Sequence, residues 1–371
     1  MPTYDHTILQ QFSISVFRRI GCSSADATLA AEVLSSADLR GVDSHGIARL
    51  IGYVRLWEKQ RINARPTLRV VHETPSTAVV DGDAGLGLVV APYAMDVAIN
   101  KARNAGTGWV SVRNSNHFGI AGYHAMQALP HDMIGIALTN ASPLVAPTFA
   151  IDRLLGTNPI AVAIPAGEEP PLVVDMATTT VANGKLEILQ RKGKAAPGGW
   201  IQDRAGNPST NPKEVAEGGA LLPLGGDVTH GSHKGYCLGA VVDIFSAVFS
   251  GANYGPWVPP FVSFLDPPAD PVGQGIGHFL GAMRIDAFRP ATDFKRHMDR
   301  WITTFRQARV APQHDRVLIP GDPERATEAQ RRRDGIPLLE PVVADLIELG
   351  HRLDLDTTFL QVGVKNEPLR Q

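Results

Sequence analysis

Apolar residues recur at helical spacing over about the first sixty positions of this 371-residue chain. Ser23 or Ser24 can cap a helix carrying Leu29, Val33 and Leu34 that ends near Gly41. Asp43 or Ser44 can cap a second helix, with Ile47, Leu50, Ile51 and Val54 on one face. Past Leu68 the period changes, and 68–71 and 77–80 alternate or run apolar between turn signals, as strands do. Helices are predicted over 91–105, 120–128, 181–191 and 234–249, and strands over 108–113, 134–139, 160–164 and 172–175. Two stretches break the pattern. Residues 193–231, rich in Gly, Pro, Asn and Asp, read as a long surface excursion, and the proline-rich 251–277 reads as irregular. Helical spacing returns at 293–308, 325–333 and 341–349. The expected class is therefore α/β in the α+β sense. A helical domain from both chain ends (1–70 plus 290–371) would surround an inserted mixed α/β domain (71–289).

Composition narrows the function. With 35 Lys+Arg against 37 Asp+Glu, the formal net charge of -2 offers no electrostatic basis for nucleic-acid binding. Arg331, Arg332 and Arg333 stand beside Glu324, Glu328 and Asp334 and read as a solvated helix face. Cys22 and Cys237 are too few for a disulfide framework or a thiolate zinc site. Leu238–Phe249, the longest apolar stretch, is interrupted by Asp243 and falls short of the ~20 residues a bilayer span needs. No basic segment followed by an apolar run opens the chain, so a soluble, cytoplasmic protein is expected. Gly-x-Gly-x-x-Gly is missing: Gly85-Leu-Gly87 and Gly273-Gln-Gly275 both break before the third glycine. Gly-x-Ser-x-Gly and His-Glu-x-x-His are missing too, which disfavours a standard Rossmann enzyme, a serine hydrolase and a zinc protease.

Five constellations can carry chemistry. In Asp43-Ser44-His45-Gly-Ile-Ala-Arg49, a helix starting at Asp43 or Ser44 would put His45 in its first turn and Arg49 on the same face. A guanidinium beside a helix N-terminus suits a carboxylate; the plainer alternative is a cap with a surface arginine. Arg113-Asn-Ser-Asn-His117-Phe118-Gly119 places a histidine at a strand-to-helix turn, as a proton carrier or a helix cap. Thr139-Asn140-Ala-Ser142 and Gly156-Thr157-Asn158 gather polar groups at strand ends, for a ligand or simply for the turns. Asp175-Met176-Ala177 ends a strand and can meet a ribose or orient a base, while Lys185 can pair with Asp175 or reach a substrate oxygen. Lys234-Gly235 precedes an apolar helix and can seat a phosphate, whereas His230 and His233 read as surface residues, not metal ligands.

Together, Ala37-Asp-Leu-Arg-Gly-Val-Asp-Ser-His-Gly-Ile-Ala-Arg-Leu, Asn114-Ser-Asn-His-Phe-Gly, Gly156-Thr-Asn-Pro, Val174-Asp-Met-Ala-Thr, His233-Lys-Gly-Tyr and Pro320-Gly-Asp resemble the malate/L-lactate dehydrogenase type 2 family. That family includes ureidoglycolate and sulfolactate dehydrogenases, 2,3-diketogulonate reductase and cyclic imino-acid reductases. The resemblance covers essentially the whole chain. It implies a non-Rossmann fold whose central, mainly antiparallel sheet domain binds NAD or NADP, and a homodimer. It further implies that His117 is the acid/base, as in the hydroxy-acid dehydrogenases, or that His45 takes this role, since with Ser44 it matches the proton donor and relay of the imino-acid reductase branch. Arg49 matches a substrate-carboxylate contact. Thr157 falls on the substrate side, and Asn140 and Lys185 are read there too. His117, Phe118, Gly119, Ile120, Ala121, Asp175, Met176, Ala177, Lys234, Gly235, Pro320, Gly321 and Asp322 fall where the family holds the nicotinamide cofactor. Lys185 stands where the imino-acid reductases carry Asp, which points to a carbonyl/alcohol substrate. Asp322 replaces the Glu of many members.

These readings lead to an NAD(P)-dependent oxidoreductase that interconverts a small 2-hydroxy acid and its 2-oxo acid, with no metal. The rivals are a cyclic imino-acid reductase on the same scaffold and a protein that binds small acids without turning them over.

Overall fold

A computed structural model describes residues 2–361. In chain order the elements are β1 (Thr3–Tyr4), α1 (His6–Arg19), α2 (Ser24–Leu39), α3 (Leu50–Glu58), β2 (Arg69–Glu73), β3 (Thr77–Asp81), α4 (Gly87–Ala105), β4 (Thr107–Ser115), α5 (Ala121–Met126), β5 (Met133–Thr139), β6 (Ile160–Ile164), β7 (Leu172–Met176) and α6 (Asn183–Arg191). There follow β8 (Ile201–Gln202), β9 (Pro208–Ser209), β10 (Ala220–Leu221), α7 (Ser232–Asp243), β11 (Ile276–Arg284), α8 (Ala291–Arg306), α9 (Asp322–Asp334), β12 (Ile336–Pro337), α10 (Glu340–Arg352) and α11 (Thr358–Gln361).

The chain divides into two compact units, Met1–Arg65 with Pro323–Gln371, and Pro66–Asp322. The second boundary lies beyond the expected 290. Helix α8 belongs to the central unit because Ile302 is buried against Leu172 and Ile319, with Ile164 and Val174 alongside. Among the described residues no helix is long and apolar enough to cross a membrane.

In the terminal unit, Asp5 starts α1 by accepting from the amides of Thr7 and Ile8, and Ser23 starts α2 by accepting from Asp26. The segment after α2 departs from expectation. Neither Asp43 nor Ser44 caps a helix: a short 3-10 turn begins at Ile47 and α3 only at Leu50, so His45 precedes the helix. The cap is Asp38, whose carboxyl accepts from the Ile47 amide at 2.7 Å. Asp43 instead pairs with Arg331 on α9. This tertiary pairing draws Asp43 away from the local capping role its sequence position offers.

Asp38 is 3% exposed, and burial pushes its carboxyl up to about 8, with Asp43 nearby adding to the rise. The folded chain therefore holds a proton that the unfolded chain releases near pH ~4, so this group's contribution fades as pH rises between those values. Asp38→Asn keeps the acceptor for Ile47 and removes the ionisation. Its melting temperature is expected to fall less than that of the parent between about pH 6 and about pH 9, read by circular dichroism.

The central unit is built on a seven-stranded sheet of order β2-β3-β4-β11-β5-β6-β7, antiparallel except for the parallel β3–β4 pair. Strand β11 lies at its centre, although most of it falls outside every predicted element. Its residues 276–282 are all buried, so no polar alternation marks it, and Gly277 and Gly281 dilute the apolar signal. Helices α4 and α5 cover the sheet over a core of Val80, Met95, Ile99, Val110, Phe118 and Leu280. Helix α4 begins at Gly87, ahead of the predicted start at 91, so that Pro92 lies inside it. The excursion over 193–231 is not featureless: β8, β9 and β10 form a small antiparallel sheet with its own core around Leu186, Ile201 and Leu221.

Candidate active site

Strand β4 delivers the central histidine. It ends at Ser115, and the chain then turns sharply through Asn116, His117 and Phe118 into α5. Asn116, 5% exposed, clamps this turn by donating both amide protons, to Ala84 O at 2.9 Å and Gly85 O at 3.0 Å. Gly87, at the start of α4, lies so close that a side-chain carbon there would overlap the Asn116 and His117 carbonyls. Nδ1 of His117 accepts from the Gly119 amide at 3.3 Å, which leaves the proton of the neutral ring on Nε2. The ring stacks on Phe261, with centroids 4.5 Å apart and planes 29° apart.

Phe261 is a residue that the sequence reading missed. It comes from the proline-rich stretch, is 7% exposed, and is tied down by its amide, which donates to Ser142 Oγ at 2.9 Å. An apolar residue among prolines carries no local signal that it will cover an imidazole.

Several of the expected cofactor residues meet around the start of α5. Asp175, at the end of β7, accepts from the Gly122 amide at 2.8 Å and so caps that helix from a neighbouring strand. The 320–322 turn lies along β7, its Pro320 carbonyl accepting from the Val173 amide at 3.1 Å. Asp322 closes the turn by accepting from the Ile319 amide at 3.0 Å, and Arg306 pairs with it. The Thr157 carbonyl accepts from the Thr178 amide, and the Thr178 carbonyl from the Leu224 amide. Gly235 packs on the Leu224 backbone so tightly that no side chain fits there. Hydrogen bonds and packing thus chain 157, 175–178 and 234–235 together. Lys234 is exposed in the first turn of α7 and makes no ion pair with a described residue.

Other expected residues stand differently. Asn140, 1% exposed, donates to Asp243 Oδ1 at 3.1 Å and Asn253 O at 2.7 Å and accepts from the Gly277 amide at 3.0 Å. Both its donors are thereby committed within the central unit. Thr157 is half-buried, and its hydroxyl bonds to no described residue. Lys185 is exposed on α6 and forms no ion pair with a described residue, Asp175 included. His124, on α5, is fully buried and donates through Nε2 to Phe118 O at 2.8 Å.

Ser44, His45 and Arg49 belong to the terminal unit. Ser44 Oγ and His45 Nδ1 are hydrogen-bonded at 2.9 Å, and Arg49 Nε donates to the Ser44 carbonyl at 2.5 Å. The serine–histidine bond fixes the imidazole's orientation, and the arginine braces the backbone beneath it.

The donor set of the central unit fits a dinucleotide on chemical grounds. A cation and the first-turn amides of α7 suit phosphate, the Asp175 carboxylate suits ribose hydroxyls, and Met176 with Ala177 offers an apolar wall.

Residues 4–347 match the malate/L-lactate dehydrogenase family. The chain belongs to that family. A malate dehydrogenase from Pyrococcus horikoshii is 42% identical over 349 residues, covering 94% of each chain. The solved structure of sulfolactate dehydrogenase from Methanocaldococcus jannaschii superposes with a TM-score of 0.85 at 36% identity, covering 96% of this chain and 99% of that one. A Delta(1)-pyrroline-2-carboxylate/Delta(1)-piperideine-2-carboxylate reductase from Pseudomonas putida is 34% identical over 248 residues, 67% of this chain and 71% of its own. This malate/L-lactate dehydrogenase family member is thus a dehydrogenase. Its mainly antiparallel central sheet explains why no Rossmann glycine fingerprint was found.

Proposed function

We propose that the chain interconverts a small, malate- or lactate-like 2-hydroxy acid and its 2-oxo acid, using NAD or NADP. The observation that carries this reading is the held imidazole of His117, stacked on Phe261 and bonded at Nδ1 by Gly119, in a loop capped by Asp175. The bound nicotinamide supplies or accepts the hydride at the substrate carbon. His117 takes the proton from the hydroxyl in oxidation and returns it to the carbonyl oxygen in reduction; to act as base at Nε2 the ring takes the Nδ1–H tautomer and releases the Gly119 amide. Arg49 holds the substrate carboxylate, and its brace on the Ser44 carbonyl limits the rotamer freedom lost on binding. The Ser44–His45 pair serves as a proton donor and relay. Thr157 contributes its hydroxyl to the substrate side. Lys234 and Gly235, Asp175 to Ala177, the start of α5 and the 320–322 turn hold the dinucleotide.

A homodimer is part of the proposal. It is supported by the outer face of α7 and the turn after it, where Leu238, Val241, Ile244 and Val248 are exposed. A cytoplasmic location fits the cofactor.

The test is a panel of malate, lactate, ureidoglycolate, sulfolactate and a cyclic imine with NAD(H) and NADP(H), read by nicotinamide absorbance. Turnover of a 2-hydroxy acid, with little on the imine, is the expected result; turnover of the imine alone would transfer the chain to the reductase branch. Arg49→Ala is expected to raise KM for the acid about 10- to 100-fold and leave kcat less affected, as loss of a charge-assisted contact does.

A further inference from the structure

We propose that His278 and His124, two imidazoles outside the proton transfer, are positioning residues that hold His117 through the Ser115 hydroxyl and the Phe118 ring. The inference deepens the proposed function and rests on the reading of His117 as acid/base.

His278 lies on β11 and is 0% exposed. Its Nε2 is hydrogen-bonded to Ser115 Oγ at 2.8 Å and its Nδ1 to Thr139 Oγ1 at 2.7 Å. One ring thereby ties the ends of β4 and β5 to the strand between them. Its face lies on Phe118, with centroids 4.8 Å and planes 17° apart. His124, on α5 and also 0% exposed, meets Phe118 at 4.6 Å and donates through Nε2 to the Phe118 carbonyl at 2.8 Å. The residue after His117 is held by its ring and its carbonyl, and the residue two before it by its hydroxyl. Rotation of the intervening backbone would break contacts on both sides.

Imidazole suits this task better than the alternatives. A phenyl ring would stack without bonding, and a carboxylate or ammonium would bring an uncompensated charge into the core. Burial pushes His124 down to about 4 and His278 down to about 3, with His124 adding to the effect on His278. Both therefore stay neutral where an ordinary histidine, near ~6.5, changes charge. The frame keeps its hydrogen bonds while the ring it carries gains and loses a proton.

The experiment uses the full-length enzyme with His278→Gln, which can still bond Ser115 but has no ring, and Phe118→Leu, which keeps an apolar side chain without the stack. Two readouts are taken. In steady-state oxidation of NAD(P)H by the 2-oxo acid, kcat is expected to fall at least about tenfold in both variants, while KM for the nucleotide stays within about twofold in His278→Gln, whose residue lies outside the cofactor set. In spectra of 13C-labelled histidine, the His117 resonance and its titration midpoint are expected to move, the midpoint by about half a pH unit or more. An unchanged His117 resonance and midpoint in folded protein would overturn the proposal and make the stack ordinary packing. Should His278→Gln fail to fold, Phe118→Leu decides by the same readouts. The spectra need no turnover, so they judge the positioning role even where His117→Ala retains activity and the acid/base reading itself has failed.

Discussion

Replacing His117 with alanine is expected to lower kcat by about 10²- to 10⁴-fold, the usual scale for removing a general acid–base group. The dissociation constant for NAD(P)H, measured by fluorescence, should change little. The turn that carries His117 is held by other atoms: the Asn116 amide on Ala84 and Gly85, and the Asp175 carboxylate on Gly122. Truncating the ring empties the space against Phe261 without undoing these bonds, so the variant should fold and still bind the dinucleotide. The parallel variant His45→Ala gives the contrast. If His117→Ala turns over normally and His45→Ala does not, the acid/base role passes to the Ser44–His45 pair.

Gly87→Ala is expected to cost nearly as much activity, although Gly87 carries no chemistry. A methyl group there would overlap the Asn116 and His117 carbonyls. These are backbone atoms, so no rotamer change relieves the overlap, and either α4 or the histidine turn must move. Overpacking of this kind costs about 1–3 kcal/mol, and a displacement of about 1 Å at a catalytic group can cost about 10²-fold in rate. The variant should therefore melt several degrees lower and lose about 10- to 100-fold in kcat. Gly198→Ala is the control: a side-chain carbon there meets nothing within 4 Å, so it should match the parent in both measurements. Parental activity in Gly87→Ala would show that the turn tolerates displacement and that its tight packing is not needed for turnover.

What could be read without coordinates was local. The strands over 77–81, 160–164 and 172–176 announce themselves because each is a short apolar run between turn residues. Strand β11 does not, because a strand buried on both faces has no alternation and its glycines weaken the apolar run. The start of the second predicted helix was misplaced for a related reason. Asp43 is a good cap in isolation, but Arg331, 288 positions further on, takes its carboxylate and leaves the capping to Asp38. The site followed the same division. His117, Asp175 and the 320–322 turn could be named from motifs, whereas Phe261 and His278 could not, since each acts on residues over a hundred positions away.

The amino-acid order by itself determined the helix–sheet–helix plan, the absence of the Rossmann fingerprint, the family resemblance and the histidines to suspect, because periodicity and short motifs are properties of neighbours along the chain. Tertiary structure alone decided which of those side chains remain available. Asn140 is committed to Asp243 and Asn253, the Thr157 hydroxyl bonds to no described residue, His117 stacks on Phe261 from the proline-rich stretch, and rings from β11 and α5 pack on the adjacent Phe118. The physical reason is that a hydrogen-bonding group has only a few partners to give. Which partners it meets depends on how distant segments pack in space.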